Sequence, residues 1–132
     1  MADDEPDDRL LIKEALAEVR LAGQVDFVED GQELLDYLRR KGKYTGLNGA
    51  SLPGLILLDL NMPHMDGREA LLEIGCDAML KRIPVVLLTG SDAEEDFTLT
   101  YDAGANSFIK KTASFERLVK SLRTVTEYWL DV

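Results

Sequence analysis

The chain has 132 residues, a length typical of one domain, and its 15 basic and 25 acidic residues give a net charge of −10. A charge of this sign repels phosphate backbones and anionic lipid, so we expect no nucleic-acid partner and no membrane partner. Cys76 is the only cysteine, which excludes an internal disulfide, favours a cytoplasmic location and predicts a buried, inert thiol. No apolar run approaches the length of a membrane span.

The first half of the chain predicts two helices and one strand. A helix is expected over residues 6–21, where apolar residues recur at helical spacing before a glycine, and a second over residues 31–40. Alternation predicts a strand over residues 25–28. Residues 41–53 form a long polar connection with three glycines, which we interpret as a solvated insertion loop in preference to a functional loop.

The second half contains three continuous apolar runs of the kind that forms parallel strands buried on both faces. These runs cover residues 54–58, 83–88 and 106–110. One helix is expected to carry Leu71, Leu72 and Ile74, and two more to cover residues 93–102 and 115–129. Because strands alternate with helices, the sequence predicts a doubly wound α/β domain with a parallel sheet.

The first strand of such a domain is largely absent from this numbering. Asp3 and Asp4 stand where that strand should end, and only Met1 and Ala2 precede them. An empty central slot would open the core, at a cost far above the roughly 5–15 kcal/mol that holds a domain together. We therefore expect either that the numbering begins inside a longer chain or that another segment fills the slot.

Five polar residues are predicted to meet at the edge of the sheet where α/β domains bind ligands. Asp59, Thr89 and Lys111 follow three strands, and Asp3 and Asp4 add two carboxylates. Carboxylates so close together require a cation, and hard oxygen ligands suit Mg²⁺, whose shell is often completed by phosphate oxygens. A carboxylate nucleophile beside a metal and an ammonium predicts phosphoryl transfer through an aspartyl phosphate.

Each polar residue also has a simpler interpretation when it is taken alone. Asp3 and Asp4 are typical partners of a helix N-terminus, Asp59 is typical of a turn and Thr89 of a helix cap. His64, the only histidine, is better interpreted as a solvent-facing loop residue than as a ligand. The joint spacing of the other four residues with Lys111 favours a shared site.

The chain resembles the receiver domain of two-component response regulators, of the single-domain chemotaxis type. The matching segments are residues 3–4, 58–63, 65–67, 88–90 and 104–111. The resemblance implies a flavodoxin-like parallel five-stranded sheet of order 2-1-3-4-5. It also implies that residues 1–132 form one receiver domain without an output domain.

The resemblance implies a role for each matching polar residue. Asp59 would accept a phosphoryl group from a sensor histidine kinase, so the protein would be a self-dephosphorylating phosphoacceptor and not an enzyme. Mg²⁺ would be bound directly by Asp4 and largely through water by Asp3, with Asp59 and the backbone carbonyl of Asn61 as further ligands. Loop 41–53 and the aromatic tail further resemble regulators that serve bacterial phytochrome kinases.

A switch is also implied by the resemblance. Thr89 would hydrogen-bond the new phosphoryl group and Lys111 would pair with it, while the ring of Phe108 would turn inward. The surface of the predicted helix 4 (residues 93–102), strand 5 (residues 106–110) and helix 5 (residues 115–129) would carry the output. The family pattern selects Lys111 over the neighbouring Lys110, although Thr112 replaces the usual proline and puts the conformation of that loop in doubt.

Two other functions and one interface stay open at this stage. A phosphatase-like hydrolase would need a second aspartate where this chain has Asn61, and a degenerate receiver would act as a docking module without phosphorylation. Tyr128, Trp129 and Leu130 either pack back on the domain or join a partner. We expect a homodimer, formed through this tail or through the helix 4, strand 5 and helix 5 face.

Overall fold

The computed structural model describes residues 1–20, 25–47, 51–59, 62, 65–89, 107–111 and 114–130. Its helices are α1 (Pro6–Glu18), α2 (Gly31–Arg39), α3 (Gly67–Gly75), a C-terminal helix (Phe115–Leu130) and two 3₁₀ helices (Gly42–Leu47 and Leu80–Arg82). Its strands are β1 (Ile56–Asp59), β2 (Val85–Thr89) and β3 (Ser107–Lys110). None of the described helices is long and apolar enough to cross a membrane.

Local sequence signals explain where the helices begin. Asp30 caps α2 by accepting a hydrogen bond from the Glu33 N–H at 2.7 Å, and Asp66 caps α3 by accepting one from the Glu69 N–H at 3.0 Å. Pro6 stands in the first turn of α1, where its missing N–H costs nothing. The fourth predicted helix, residues 93–102, lies outside the described residues.

The described strands form a parallel sheet in the order β1, β2, β3. In the register of this sheet Asp59 lies opposite Leu88, and Thr89 lies opposite Lys110. Asp59 and Thr89 are thus the last residues of their strands, whereas the sequence predicted that both would follow the strand. The predicted α/β architecture with a parallel sheet is confirmed.

Residues 1–3 lie in the slot that the sequence prediction left almost empty. Ala2 makes one parallel bridge to Val28 and another to Leu58. The Ala2 N–H donates to the Leu57 carbonyl at 2.8 Å, which fixes the register of this segment beside β1. These three residues therefore position the acidic pair at the edge of the sheet.

The predicted strand over residues 25–28 is wrong in extent. Val28 makes the one β-bridge described in this range, to Ala2, while the Asp26 carbonyl only accepts a hydrogen bond from the Met1 amino group at 2.7 Å. A strand requires successive backbone pairs, and the described residues of this range supply one bridge. Three strands and two bridges do not by themselves confirm a five-stranded order.

Strand side chains alternate between two apolar clusters, one on each face of the sheet. The first cluster joins α2 and α3 to Ile56, Leu58, Val85 and Leu87. The second joins α1 and the C-terminal helix to Leu57, Val86, Leu88 and Ile109. Since helices cover both faces, the predicted doubly wound arrangement is present in the described part of the chain.

Cys76 is exposed, so the prediction of a buried thiol is wrong. The buried stripe of α3 passes through Ala70, Leu71 and Ile74. Cys76 follows as the residue that ends the helix, and its position falls off that stripe.

The connection after α2 is solvated, as predicted, but it has structure of its own. The 3₁₀ helix Gly42–Leu47 contains no buried residue. Tyr44 stacks edge-on against Tyr37 with ring centroids 5.1 Å apart, and its hydroxyl donates to Glu33 at 2.8 Å. Burial raises the pKa of Glu33, but hydrogen bonds from Lys43, the Glu29 N–H and Tyr44 outweigh it and hold that pKa below its ordinary value.

Gly31 allows the close approach of α2 to the loop before α3. Its N–H donates to the Met65 carbonyl at 2.9 Å, and a Cβ at this position would collide with the same carbonyl oxygen. We therefore expect Gly31→Ala to lower the free energy of unfolding by about 1–3 kcal/mol in urea titrations. Gly46→Ala is the control, because a Cβ there meets nothing within 4 Å. Equal stabilities of the two variants would contradict this account.

Candidate functional site

Main-chain hydrogen bonds bring three carboxylates together at the end of β1. The Asp59 N–H donates to the Ala2 carbonyl at 2.9 Å, and the Asp3 N–H donates to the Val28 carbonyl at 3.0 Å. Carboxylate oxygens of Asp3, Asp4 and Asp59 consequently lie within 4.8 Å of one another. The predicted acidic cluster is therefore present.

The three carboxylates differ in their surroundings. Asp3 and Asp59 are buried, and Asp3 Oδ1 accepts a hydrogen bond from the Glu5 N–H at 3.0 Å. Asp4 is partly exposed, but its Oδ1 is buried and has no hydrogen-bond partner among the described residues. An unpaired buried carboxylate oxygen is costly unless a ligand satisfies it.

Lys111 lies directly beside the cluster. Its Nζ is 3.2 Å from Asp3 Oδ2 and 3.3 Å from Asp59 Oδ1. Burial lowers the pKa of Lys111, but the hydrogen bond to Asp8 and the charges of Asp59 and Asp3 raise that pKa well above its ordinary value. Lys111 is therefore a fixed positive charge in the site, while Lys110 is exposed.

Asp8 is a site residue that sequence reasoning missed. Its Oδ2 lies 2.7 Å from Lys111 Nζ, closer than the carboxylate oxygens of Asp3 and Asp59. Asp7 and Asp8 are both acidic residues of the first turn of α1, where an acidic side chain is ordinarily explained by the helix dipole. The available signal was spacing, since Asp8 precedes the buried Ile12 by one helical turn and so lies on the inward face.

The donor set of the cluster fits a divalent cation. Asp3, Asp4 and Asp59 offer hard carboxylate oxygens within the span of one coordination shell. The unsatisfied Asp4 Oδ1 is the specific observation that supports the fit. Lys111 offsets one negative charge and leaves the cluster with an excess of negative charge that a cation would reduce.

The remaining predicted residues are placed less completely. Thr89 ends β2 at the same edge of the sheet, and its main chain lies opposite Lys110. Phe108 is partly buried and packs against the cluster on the α2 and α3 face. Asn61 and His64 lie outside the described residues, so their predicted roles stay predictions.

Comparison with known proteins identifies a shared family signature. A family model described as the response regulator receiver domain matches residues 1–123. The probable methanogenesis regulatory protein FilR2 of Methanothrix harundinacea is 39% identical over 121 residues, which are 92% of this chain and 76% of FilR2. Response regulator Rcp1 of Synechocystis sp. is 34% identical over 131 residues, which are 99% of this chain and 87% of Rcp1.

Solved structures of similar proteins have the same fold. The phosphorylated cyanobacterial phytochrome response regulator RcpA gives a TM-score of 0.85 at 45% identity, over 98% of this chain and 90% of RcpA. The Mn²⁺-bound form of Rcp1 gives a TM-score of 0.80 at 34% identity, over 99% of this chain and 92% of Rcp1.

Divalent cations should stabilise this protein through Asp4. At a concentration 100 times the dissociation constant, Mg²⁺ or Mn²⁺ is expected to raise the free energy of unfolding by about 2.7 kcal/mol. Asp4→Asn should lose most of this increment, because it removes a charged ligand, whereas Asp7→Asn should keep it since Asp7 is exposed and outside the cluster. Urea titrations with and without the cation measure the difference. The same increment in wild type and Asp4→Asn would exclude Asp4 as a ligand.

Proposed function

This chain belongs to the response regulator receiver domain family, and we propose that Asp59 is its phosphoacceptor. The protein is thus a signalling protein of the two-component type, and a sensor kinase supplies its phosphoryl group. The observation that carries the assignment is the convergence of Lys111 and two further carboxylates on Asp59. One buried nucleophile with a fixed cation beside it suits phosphoryl transfer.

In the proposed reaction, a carboxylate oxygen of Asp59 attacks the phosphorus of a phosphohistidine on a sensor histidine kinase. A P–O bond forms while the P–N bond breaks, and the leaving imidazole nitrogen retains the bonding electron pair. Lys111 Nζ, which lies 3.3 Å from Asp59 Oδ1, donates to an oxygen of the transferred group. The Asp59 main chain is held by its hydrogen bond to Ala2, so the nucleophile is positioned before the donor arrives.

The metal of this site is proposed to be Mg²⁺, held by Asp3, Asp4, Asp59 and the backbone carbonyl of Asn61. When bound, Mg²⁺ neutralises charge on the transferring oxygens. The crowded carboxylates and the unsatisfied Asp4 Oδ1 support the assignment. The Mn²⁺-bound form of the relative Rcp1 supports a divalent ion in this family.

The output step is proposed to run through Thr89 and Phe108. Thr89 would hydrogen-bond the phosphoryl group from the end of β2, and Phe108 would turn inward from β3, the next strand of the sheet. Phe108 is partly buried against the cluster on the α2 and α3 face, so an inward turn would bury more of its ring. The responding surface would comprise residues 93–102, β3 and the C-terminal helix.

The partner is proposed to be a cytoplasmic sensor kinase of the phytochrome type, because the similar protein RcpA is a phytochrome response regulator. The full sheet is proposed to have five strands in the order 2-1-3-4-5, counted along the chain. In this order Val28 would belong to the first strand listed and Ala2 to the second. Hydrolysis of the aspartyl phosphate by the protein itself would end the signal.

Phosphorylation is tested with Mg²⁺ and a small phosphodonor such as acetyl phosphate. Wild type should form an acid-stable, base-labile adduct of one phosphoryl group, detected by mass spectrometry, and Asp59→Asn should form none because the nucleophilic oxygen is replaced by an amide. Loss of the adduct over minutes, with release of phosphate, would measure self-dephosphorylation.

Asp7→Asn is the matched control, because it removes one exposed aspartate from the first turn of α1 and leaves the acidic cluster intact. Equal labelling of Asp59→Asn and wild type would move the acceptor elsewhere. A folded wild type that never labels would favour the docking module without phosphorylation.

A homodimer through the aromatic tail is proposed on the exposure of Tyr128. Tyr128 is 77% exposed and stacks edge-on against Trp129 with ring centroids 4.7 Å apart. Trp129 itself packs on the cluster of α1 and the C-terminal helix, so part of the tail does pack back on the domain. The exposed ring of Tyr128, which is supported by the partly buried ring of Trp129, is a suitable anchor for a second copy of the chain.

Tyr128→Ala should weaken self-association about tenfold or more, since buried interface tyrosines often contribute that much. Sedimentation velocity over a range of concentrations measures the shift toward monomer. Glu116→Ala, exposed in the first turn of the same helix and more than three turns from Tyr128, should leave the profile unchanged. A wild type that is monomeric throughout, or a Tyr128→Ala profile equal to wild type, would remove the dimer proposal.

A further inference from the structure

The three N–H donors of the Lys111 ammonium face three carboxylates at different distances. Asp8 Oδ2 is nearest at 2.7 Å, while Asp3 Oδ2 lies at 3.2 Å and Asp59 Oδ1 at 3.3 Å. Charge-assisted hydrogen bonds near 2.7 Å are the short, strong members of their class. The strongest hydrogen bond of Lys111 is therefore made to α1 and not to the sheet.

Asp8 also differs from the other two carboxylates in what else it does. Asp3 and Asp59 belong to the acidic cluster that fits a cation, and Asp59 is the proposed nucleophile. Asp8 lies outside that cluster and is 31% exposed on its side chain. Once a cation and a phosphoryl group engage the cluster, Asp8 is the Lys111 partner that keeps its carboxylate available.

The helix that carries Asp8 is fixed to the site by other contacts. Arg9, the next residue, donates from Nη1 to the Asp3 carbonyl at 2.7 Å. One turn further, Ile12 is buried in the cluster that α1 shares with the C-terminal helix. The Asp8 carboxylate is thus presented by a rigid element, as a positioning group must be.

We propose that Asp8 is a positioning residue that holds one N–H of Lys111, so that the remaining N–H groups stay directed at Asp59 and at the phosphoryl oxygens. The lysine side chain has a long flexible stem whose conformational freedom must be lost before it acts in transfer. Asp8 removes that freedom in advance and touches neither phosphoryl group nor metal. This role rests on the proposed phosphoacceptor function of Asp59.

The test is a double-mutant cycle read by the initial rate of labelling with acetyl phosphate and Mg²⁺. Asp8→Ala should slow labelling about tenfold, the size expected for loss of a charge-assisted hydrogen bond. Asp8→Asn keeps an acceptor oxygen and should recover part of the rate. In a Lys111→Ala background, Asp8→Ala should have no further effect, because Asp8 acts through Lys111.

A second readout uses the metal-free, unphosphorylated protein. The heteronuclear NMR signal of the Lys111 ammonium, assigned by its absence in Lys111→Ala, should be observable in wild type because its protons are held in hydrogen bonds. It should broaden or vanish in Asp8→Ala. Asp7→Ala is the matched control, since it removes an exposed aspartate from the same first turn of α1 and leaves the contact between Asp8 and Lys111 in place.

The outcomes separate this inference from the proposed function. If wild type labels on Asp59 but Asp8→Ala matches Asp7→Ala in rate and in the Lys111 signal, the positioning role is wrong while the phosphoacceptor stands. Additive effects of Asp8→Ala and Lys111→Ala would also overturn it. A folded wild type that does not label would overturn the proposed function, and the positioning role with it.

Discussion

The geometry of the site depends on the pairing of a very short segment, residues 1–3, between Val28 and β1. Neighbouring strands lie about 4.8 Å apart, so side chains at the same level of adjacent strands are forced into proximity. Asp3 and Asp59 stand at such a level because main-chain hydrogen bonds link their segments through Ala2. The backbone therefore imposes the crowding of the carboxylates, and no side-chain attraction is needed to produce it.

That crowding sets the electrostatics of the rest of the site. At an effective dielectric constant near 20, two like charges 4 Å apart repel by about 4 kcal/mol. One ammonium, Lys111, lies against Asp3, Asp8 and Asp59, and it offsets only part of the repulsion. The remaining negative charge lowers the stability of the folded protein. The same charge favours the binding of a cation together with its oxygen ligands.

Much of this site was predictable from the sequence. Parallel strands that are buried on both faces appear as continuous apolar runs, and the candidate site residues stand where those runs end. Asp59 and Thr89 were found in this way, and Lys111 by the same rule with help from a family pattern. Asp8 was not, since Asp7 and Asp8 are chemically identical neighbours; spacing from Ile12 places Asp8 on the inward face, but its partner Lys111 follows only from the tertiary structure.

Two other predictions were wrong, each for a different physical reason. The predicted strand over residues 25–28 has suitable residues, but pairing also requires a partner backbone, which the residue pattern of that segment does not report. Cys76 was misjudged because burial near a helix end depends on where the helix stops, and α3 stops at Gly75. The fold class was robust to both errors, because the two apolar clusters on either side of the sheet depend on many residues.

The contact between Gly31 and Met65 joins α2 to the loop before α3 through main-chain atoms on both sides. Every amino acid possesses the accepting carbonyl, so the side chain at position 65 contributes nothing to the hydrogen bond itself. A substitution at position 65 can therefore change the side chain of this loop and keep the hydrogen bond, whereas any side chain at position 31 would meet the Met65 carbonyl.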